Sequence, residues 1–195
     1  MTISISRAFA SLVFFTFGAV GALSAKDYRL VDHTIQWTGS TPVKYHTGLL
    51  SPQSSSIKIS DAGVVEHLEV VLDMNSINVT DMDEGRMRDR LTGHLKNEDF
   101  FDVSSHPTAR FTMKRHEAGH LKGELEIRGN RMDFSIPVKV SGDAVKGWDL
   151  TGKFSFDRHE FDVSYQADNL LSIAKDKLVD REIVVDVALK VSPVK

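Results

Sequence analysis

Hydrophobic and polar residues alternate along most of the chain. In the segment 68–74, hydrophobic residues fill every second position from Leu68 to Met74, and Glu69 and Asp73 lie between them. The same period of two recurs in the segments 121–128, 131–140, 148–156 and 182–191. Because successive side chains of a strand point to opposite faces, the pattern predicts antiparallel strands with one buried and one solvated face.

One segment departs from this alternation. Between Asp83 and Lys96, Met87, Leu91 and Leu95 recur every four residues, which is the spacing of a helix with one apolar stripe. We therefore expect a short helical insertion in a chain that is otherwise all-β. The pair Gly129–Asn130, between two alternating segments, predicts a tight hairpin turn.

About eight or nine predicted strands each have one apolar face, and these faces must be buried against each other. A sandwich and a closed barrel both achieve this. Gly123 and Gly152 fall on the apolar faces. They either leave volume for a ligand inside a barrel or mark a bulge or corner where two backbone segments approach closely.

The first residues have the composition of an export signal. Arg7 is the only charged residue before Lys26, and a largely apolar run from Ala8 to Leu23 ends in small residues. This predicts a cleaved signal peptide over residues 1–25 and one domain over residues 26–195, in a periplasmic or secreted protein. The alternative is an uncleaved anchor, for which the run is shorter than the roughly 20 residues of a membrane span.

Composition excludes several classes of function. Lys and Arg number 24 against 27 Asp and Glu, for a formal charge of −3, so the broad basic surface of a nucleic-acid-binding protein is absent. The chain has no cysteine, which excludes disulfides, thiolate metal sites and cysteine nucleophiles. Two Trp and three Tyr are too few for the aromatic girdles of an outer-membrane barrel.

The segment His116–His120 reads His-Glu-Ala-Gly-His and so matches the H-E-x-x-H motif of zinc hydrolases. That chemistry needs both histidines on one face of a helix. Here the motif lies between two strand-like segments and contains Gly119, so we expect a hairpin loop without a metal. We also expect replacement of both histidines to leave the fold unchanged. A metal-dependent hydrolase remains the alternative hypothesis.

The residues from Leu91 to Phe111 resemble the YceI-like family. The most specific part is His94-Leu95-Lys96, followed by Asp99-Phe100-Phe101-Asp102-Val103 and by His106-Pro107. Further matching segments are Asp32–Thr34, His46–Gly48, Asp73–Ile77, Gly123–Gly129 and Asp157–Arg158. The order and spacing agree over essentially the whole predicted mature chain, although the Asp32-His33 start is shorter than in the family.

The resemblance implies an antiparallel, lipocalin-like barrel of about eight strands with a short helical insertion. It implies a binding protein rather than an enzyme, which encloses a polyisoprenoid or an isoprenoid quinone in an apolar bore. No other cofactor is expected. The expected partners are the isoprenoid lipid, a membrane during transient contact and a second copy of the chain. A structural or stress-response barrel without a ligand is the further alternative.

The candidate bore residues are hydrophobic side chains on the predicted inward faces, each of which could instead be an ordinary core residue. They are Leu72, Phe111, Met113, Leu125, Ile127, Phe134, Ile136, Phe154, Phe156, Val185 and Val187. Phe100 and Phe101 are expected to close one end beneath the helix. Arg110, Lys114 and Arg158 are candidates to meet a phosphate head group at the mouth.

Overall fold

The computed structural model describes residues 25–165 and 179–195, and nine antiparallel strands make up most of these residues. The elements, in chain order, are β1 (Ala25–Thr41), β2 (Lys44–Ser60), β3 (Val65–Val79), α1 (Arg86–Lys96), β4 (Thr108–Glu117), β5 (His120–Ile127), β6 (Asn130–Pro137), β7 (Lys139–Asp143), β8 (Gly147–Asp157), a 3₁₀ turn (Arg158–Phe161) and β9 (Glu182–Pro193). The predicted all-β class with one short helix is confirmed.

All nine strands belong to one sheet in the order β6-β5-β4-β3-β2-β1-β9-β8-β7. The sheet is strongly curled into a half-barrel, which brings the edge strand β6 against β8, the neighbour of the other edge strand β7. Side chains bridge the seam between β6 and β8, where the Phe134 and Phe154 ring centroids lie 5.5 Å apart. The closure is made by packing rather than by a hydrogen-bonded ladder, in contrast to a fully closed barrel.

Gly152 and Gly123 allow close approach of backbone segments. A Cβ on Gly152 would lie 2.6 Å from the Pro137 carbonyl oxygen across the seam. A Cβ on Gly123 would lie 2.2 Å from the Thr112 carbonyl oxygen, next to the register shift between Met113 and Arg115. Gly123 therefore marks a bulge, and Gly152 marks a close approach of two backbone segments and also lies in the cavity wall.

Two tight hairpins connect β4 to β5 and β5 to β6. Ala118 and Gly119 have φ of 50° and 73°, and Arg128 and Gly129 have φ of 51° and 76°. Positive φ at both central residues is typical of type I′ turns, whose twist matches that of the flanking strands. The second turn lies one residue earlier than Gly129–Asn130, because Asn130 already pairs with Ile127 in the ladder.

The helix begins at Arg86, three residues later than its apolar spacing suggested, and packs over one end of the curled sheet against β3. Leu95 is buried, whereas Met87, two turns earlier on the same stripe, is 65% exposed. After the helix, the Phe101 and Val103 amides donate hydrogen bonds to the Leu95 and Lys96 carbonyls. This turn places Phe100 and Phe101 in the core beneath α1.

In the described part of the chain, no helix is both long and apolar enough to cross a bilayer. The predicted signal peptide falls on residues 1–24 and Ala25, so almost all of it lies outside the described residues. The signal peptide and the domain boundary after it remain predictions.

Candidate ligand cavity

A cavity of about 520 Å³ lies between the concave face of the sheet and α1. Hydrocarbon and aromatic side chains from most strands form its wall, joined by Leu91 and Leu95 of the helix and by Phe100 and Phe101. The volume is within the range of sites that enclose a small-molecule ligand. The curled sheet therefore contains an apolar space, even though inward hydrophobic and outward polar residues alternate along its strands as they do around a filled core.

The structure brings most of the predicted bore residues to this cavity. Those in its wall are Leu72, Phe111, Leu125, Ile127, Ile136, Phe154, Phe156, Val185 and Val187. The remaining two, Met113 and Phe134, are outside the wall. Met113 is buried beside the bulge opposite Gly123, and Phe134 lies half-buried on edge strand β6 against Phe154. Contact of any of these residues with a ligand stays a prediction.

One end of the barrel is filled by packed side chains that are not part of the cavity wall. Ile57, Ile59 and Val65 are almost completely buried there, and the Trp148 indole donates a hydrogen bond of 3.1 Å to the Tyr28 hydroxyl. The core is thus closed at the end where β1 begins. The unfilled volume lies nearer the middle of the barrel and the helix.

The other end carries most of the polar groups in the cavity wall. Ser40, Thr41, Lys44 and His46 come from the β1–β2 hairpin. His94 comes from α1, and Tyr165 lies against the His94 ring. The signal for this cluster in the sequence was the resemblance to the family, which covers the His46–Gly48 segment and His94.

Asp81 holds the ring of His46 in place at this end. His46 Nδ1 lies 2.9 Å from Asp81 Oδ2, and the Thr47 amide donates to Asp81 Oδ1 at 2.9 Å. Partial burial would raise the pKa of Asp81, but the hydrogen bonds from Thr47 and His46 outweigh it and lower the pKa below its usual value. Asp81 is therefore a carboxylate at neutral pH and fixes the orientation of the imidazole.

The expectation that Arg158 meets a head group at the mouth is wrong. Its side chain is fully buried, and the guanidinium donates hydrogen bonds to the carbonyls of Val163, Val179 and Asp180 at 2.6, 2.9 and 3.0 Å. The sequence showed a cation but not its burial, because its carbonyl partners at 179 and 180 are distant in the chain.

The other two cations proposed for the head group are paired with acidic side chains. Lys114 lies on the solvated face of β4, with its Nζ 2.7 Å from Asp133 Oδ1, so its proposed place at a mouth is also wrong. Arg110 contributes to the cavity wall, but its Nη1 is 2.9 Å from Glu69 Oε1. The structure offers Lys44 in their place as the cation at the polar end.

The His-Glu-Ala-Gly-His segment forms the β4–β5 hairpin rather than a helix. His116 Nδ1 accepts a hydrogen bond of 3.1 Å from the Val65 amide, and Glu117 pairs with Lys122 at 2.8 Å. His120 starts the next strand. Within residues 25–165 and 179–195, no three His, Cys, Asp or Glu side chains are grouped to hold a metal ion.

Comparison with known proteins assigns the chain to a family. Residues 23–191 match the YceI-like domain, which is nearly all of the described structure. The chain belongs to the YceI-like family. YceI-like proteins are binding proteins that are generally not catalytic. A search of curated proteins found no significant match.

Solved structures of YceI-like and related proteins have the same fold. BcnA of Burkholderia cenocepacia superposes with a TM-score of 0.62 at 19% identity, over 81% of this chain and 95% of that one. A domain of Saccharophagus degradans, described as polyisoprenoid binding, gives 0.63 at 14% identity over 87% and 99%. The YceI protein of Campylobacter jejuni gives 0.56 at 18% identity over 97% and 94%.

The structure shows what the YceI-like sequence signature does in this chain. Its most specific part, from His94 to Val103, forms the end of α1 and the turn that carries Phe100 and Phe101 to the cavity. In contrast, Asp32 and His33 are exposed on β1 and are not in the cavity wall. The shortened Asp-His start therefore lies away from the candidate site.

Proposed function

We propose that this protein encloses the chain of a polyisoprenoid or an isoprenoid quinone in its cavity and carries it through the periplasm or outside the cell. The observation that supports this most strongly is the apolar cavity of about 520 Å³. An unfilled apolar cavity destabilises a protein in proportion to its volume. A structural barrel without a ligand would gain stability by filling it.

The physical chemistry of isoprenoids fits such a site. A long isoprenoid chain exposes a large apolar area to water, and burial of that area contributes about 25 cal/mol per Å². The wall supplies hydrocarbon side chains from both halves of the sheet, such as Leu72, Leu125 and Val185. The description of the Saccharophagus degradans domain as polyisoprenoid binding supports the same class of ligand here.

The test is to purify the full chain from its native host, extract it with organic solvent and identify the extract by mass spectrometry. We expect one isoprenoid lipid or quinone per protein. Leu125→Trp adds an indole to the cavity wall and should reduce the extracted lipid at least severalfold, while the protein stays folded. Glu124→Trp places the same ring on the solvated face of the same strand and is the matched control.

Two results would contradict the proposal. Native protein without any bound amphiphile would favour the barrel without a ligand. A Leu125→Trp protein that melts earlier but retains the lipid content of Glu124→Trp would show that Leu125 is an ordinary packed residue. Overpacking of that kind typically costs about 1–3 kcal/mol.

The periplasmic or secreted location is part of the same proposal. Ala25 and Lys26 already pair with Ser60 and Ile59 in the sheet, so cleavage at Ala25 or Lys26 leaves the β-domain essentially whole. N-terminal mass spectrometry of the native product should show a mature chain that starts at one of these residues. A product that retains residues 1–24 would contradict export by a cleaved signal.

A further inference from the structure

Two residues of the cavity wall have buried nitrogen atoms that lack hydrogen-bond partners. Among the described residues, Trp37 Nε1 and His94 Nε2 are buried and unpaired, and both residues line the cavity. Buried polar groups of native proteins are nearly always paired, because an unpaired one loses its hydrogen bonds to water without compensation. The third such atom, His159 Nε2, belongs to a residue outside the wall.

Comparison of the two tryptophans shows that the missing hydrogen-bond partner is specific to the tryptophan in the cavity wall. Trp148 lies at the packed end of the barrel, and its indole N–H donates to the Tyr28 hydroxyl at 3.1 Å. Trp37 is buried to the same extent, with 8% exposure for each residue. An indole N–H can only donate, so its missing partner must be an acceptor.

The fold holds the Trp37 indole at the polar end of the cavity. Trp37 pairs with Gly48 in the β1–β2 ladder, and a Cβ on Gly48 would lie 2.4 Å from Cζ2 of the indole. The hairpin residues Lys44 and His46 precede Gly48 on the same strand. His94 reaches the cavity from α1, with its ring 4.3 Å from that of Tyr165.

We propose that the Trp37 indole N–H and the His94 imidazole, with its proton on Nε2, form a polar subsite that donates to an acceptor oxygen on the head of the ligand. The inference rests on the proposed function and adds the ligand's orientation and chemical class. The apolar chain points toward the filled end near Trp148, and the head stays near α1 and the β1–β2 hairpin. A quinone carbonyl and a phosphate both provide the acceptor oxygen, whereas a pure hydrocarbon does not.

Three probes with the same phytyl chain test this subsite by calorimetric titration of the full-length protein freed of lipid. Phytene has no oxygen, phylloquinone carries two ring carbonyls, and phytyl phosphate carries an anionic head. We expect at least one oxygen-bearing probe to bind about tenfold more tightly than phytene. Comparison of the two then identifies which head the site accepts.

Trp37→Phe removes the N–H and keeps an aromatic ring, and Trp148→Phe is the matched control. Trp37→Phe should weaken the preferred oxygen-bearing probe about tenfold and leave phytene within twofold. It should also lower the melting temperature of the free protein less than Trp148→Phe does, since both variants lose packing of a buried indole but only Trp148→Phe loses a hydrogen bond. Trp148→Phe should lower that melting temperature and leave the ratio between probes unchanged. His94→Phe repeats the binding test independently.

The outcomes separate the two proposals. Equal affinity of the wild type for all three probes overturns the polar subsite but leaves lipid binding intact. The same conclusion follows if Trp37→Phe and His94→Phe each weaken phytene and the oxygen-bearing probe by the same factor. Failure of all three probes to bind overturns the proposed function itself.

Discussion

Arg158 is the most deeply buried charged residue in the described structure. Its guanidinium donates to the carbonyls of Val163, Val179 and Asp180 and lies 5.8 Å from the centre of the Phe100 ring. Burial of a charge is costly unless hydrogen bonds replace its hydration. The planar fork of the guanidinium reaches several carbonyls at once, so Arg158 ties two chain segments to the aromatic core.

Replacement of Arg158 should therefore be strongly destabilising. Arg158→Met leaves three backbone carbonyls without their donor, and we expect a loss of at least about 3 kcal/mol. Arg158→Lys retains the charge but not the planar fork and should recover only part of this loss. Urea unfolding of the three proteins measures the effect. A loss below about 1 kcal/mol for Arg158→Met would show that the guanidinium contacts contribute little.

His116 also has a structural role at the residue scale. Its Nδ1 accepts from the amide of Val65, a residue only 1% exposed. That replacement of His116 and His120 leaves the fold unchanged stays a prediction, to which the structure adds a cost in stability at His116. His116→Ala removes the acceptor of a buried N–H and should cost about 1–3 kcal/mol. His120→Ala, at an exposed position of the same hairpin, should cost less than about 0.5 kcal/mol by the same unfolding assay.

The same residue makes stability depend on pH. Burial lowers the pKa of His116 below its ordinary value near 6.5, so the unfolded chain binds a proton at a pH where the folded chain does not. Stability from this group is fully present above about pH 6.5 and is lost as the pH falls from there toward the lower folded pKa. Melting temperatures between pH 8 and 5 should fall less in His116→Ala than in His120→Ala. Identical pH profiles would contradict this role.

At the scale of elements, two hairpins set the register of β4, β5 and β6. Both use central residues with positive φ, which glycine and asparagine tolerate best. In the first turn a β-carbon is present at Ala118, with φ of 50°, beside Gly119 at 73°. The β4–β5 turn is thus strained at Ala118 and relaxed at Gly119.

This difference predicts opposite effects of two substitutions in one turn. Ala118→Asn should stabilise the protein by about 0.5–1 kcal/mol, because asparagine adopts positive φ more readily than alanine. Gly119→Ala should destabilise it by about 1 kcal/mol or more, because it places a β-carbon at a second positive φ. Thermal unfolding followed by circular dichroism measures both. Equal effects of the same sign would show that turn strain is not the cause.

At the scale of the whole molecule, the curled sheet closes at the seam between β6 and β8. No strand ladder joins these two strands. The ring contact of Phe134 with Phe154 and the approach of Pro137 to Gly152 hold them together. Closure of the cavity therefore depends on packing at a few positions.

Gly152→Ala tests this dependence. Its Cβ would lie 2.6 Å from the Pro137 carbonyl oxygen, so β6 must move outward, and we expect a loss of about 1–3 kcal/mol. Hydrogen exchange should rise in β6 and β7. Gly39→Ala is the control, because its nearest neighbour would be Ile183 Cδ1 at 3.5 Å, an ordinary contact. Equal stability of the two variants would contradict the proposed role of the seam.

Much of the fold could be predicted because it depends on neighbours in sequence. The alternation around Leu68 and Leu125 identifies strand faces, since side chains of a strand alternate by geometry. The spacing of Leu91 and Leu95 identifies the apolar side of α1. Nine of the eleven predicted bore residues reached the cavity wall for the same reason.

Other features required the tertiary structure. Phe111 and Met113 share one face of β4, but only Phe111 lines the cavity, because the curl of the sheet and the bulge beside Met113 decide where the packed core begins. The burial of Arg158, the acceptor role of His116 and the unpaired N–H of Trp37 depend on groups far away in the chain.

By itself, the sequence determined the strand and helix faces and the family, because these follow from local periodicity and motif order. Only the tertiary structure decided which end of the cavity is polar, because that depends on how distant segments meet.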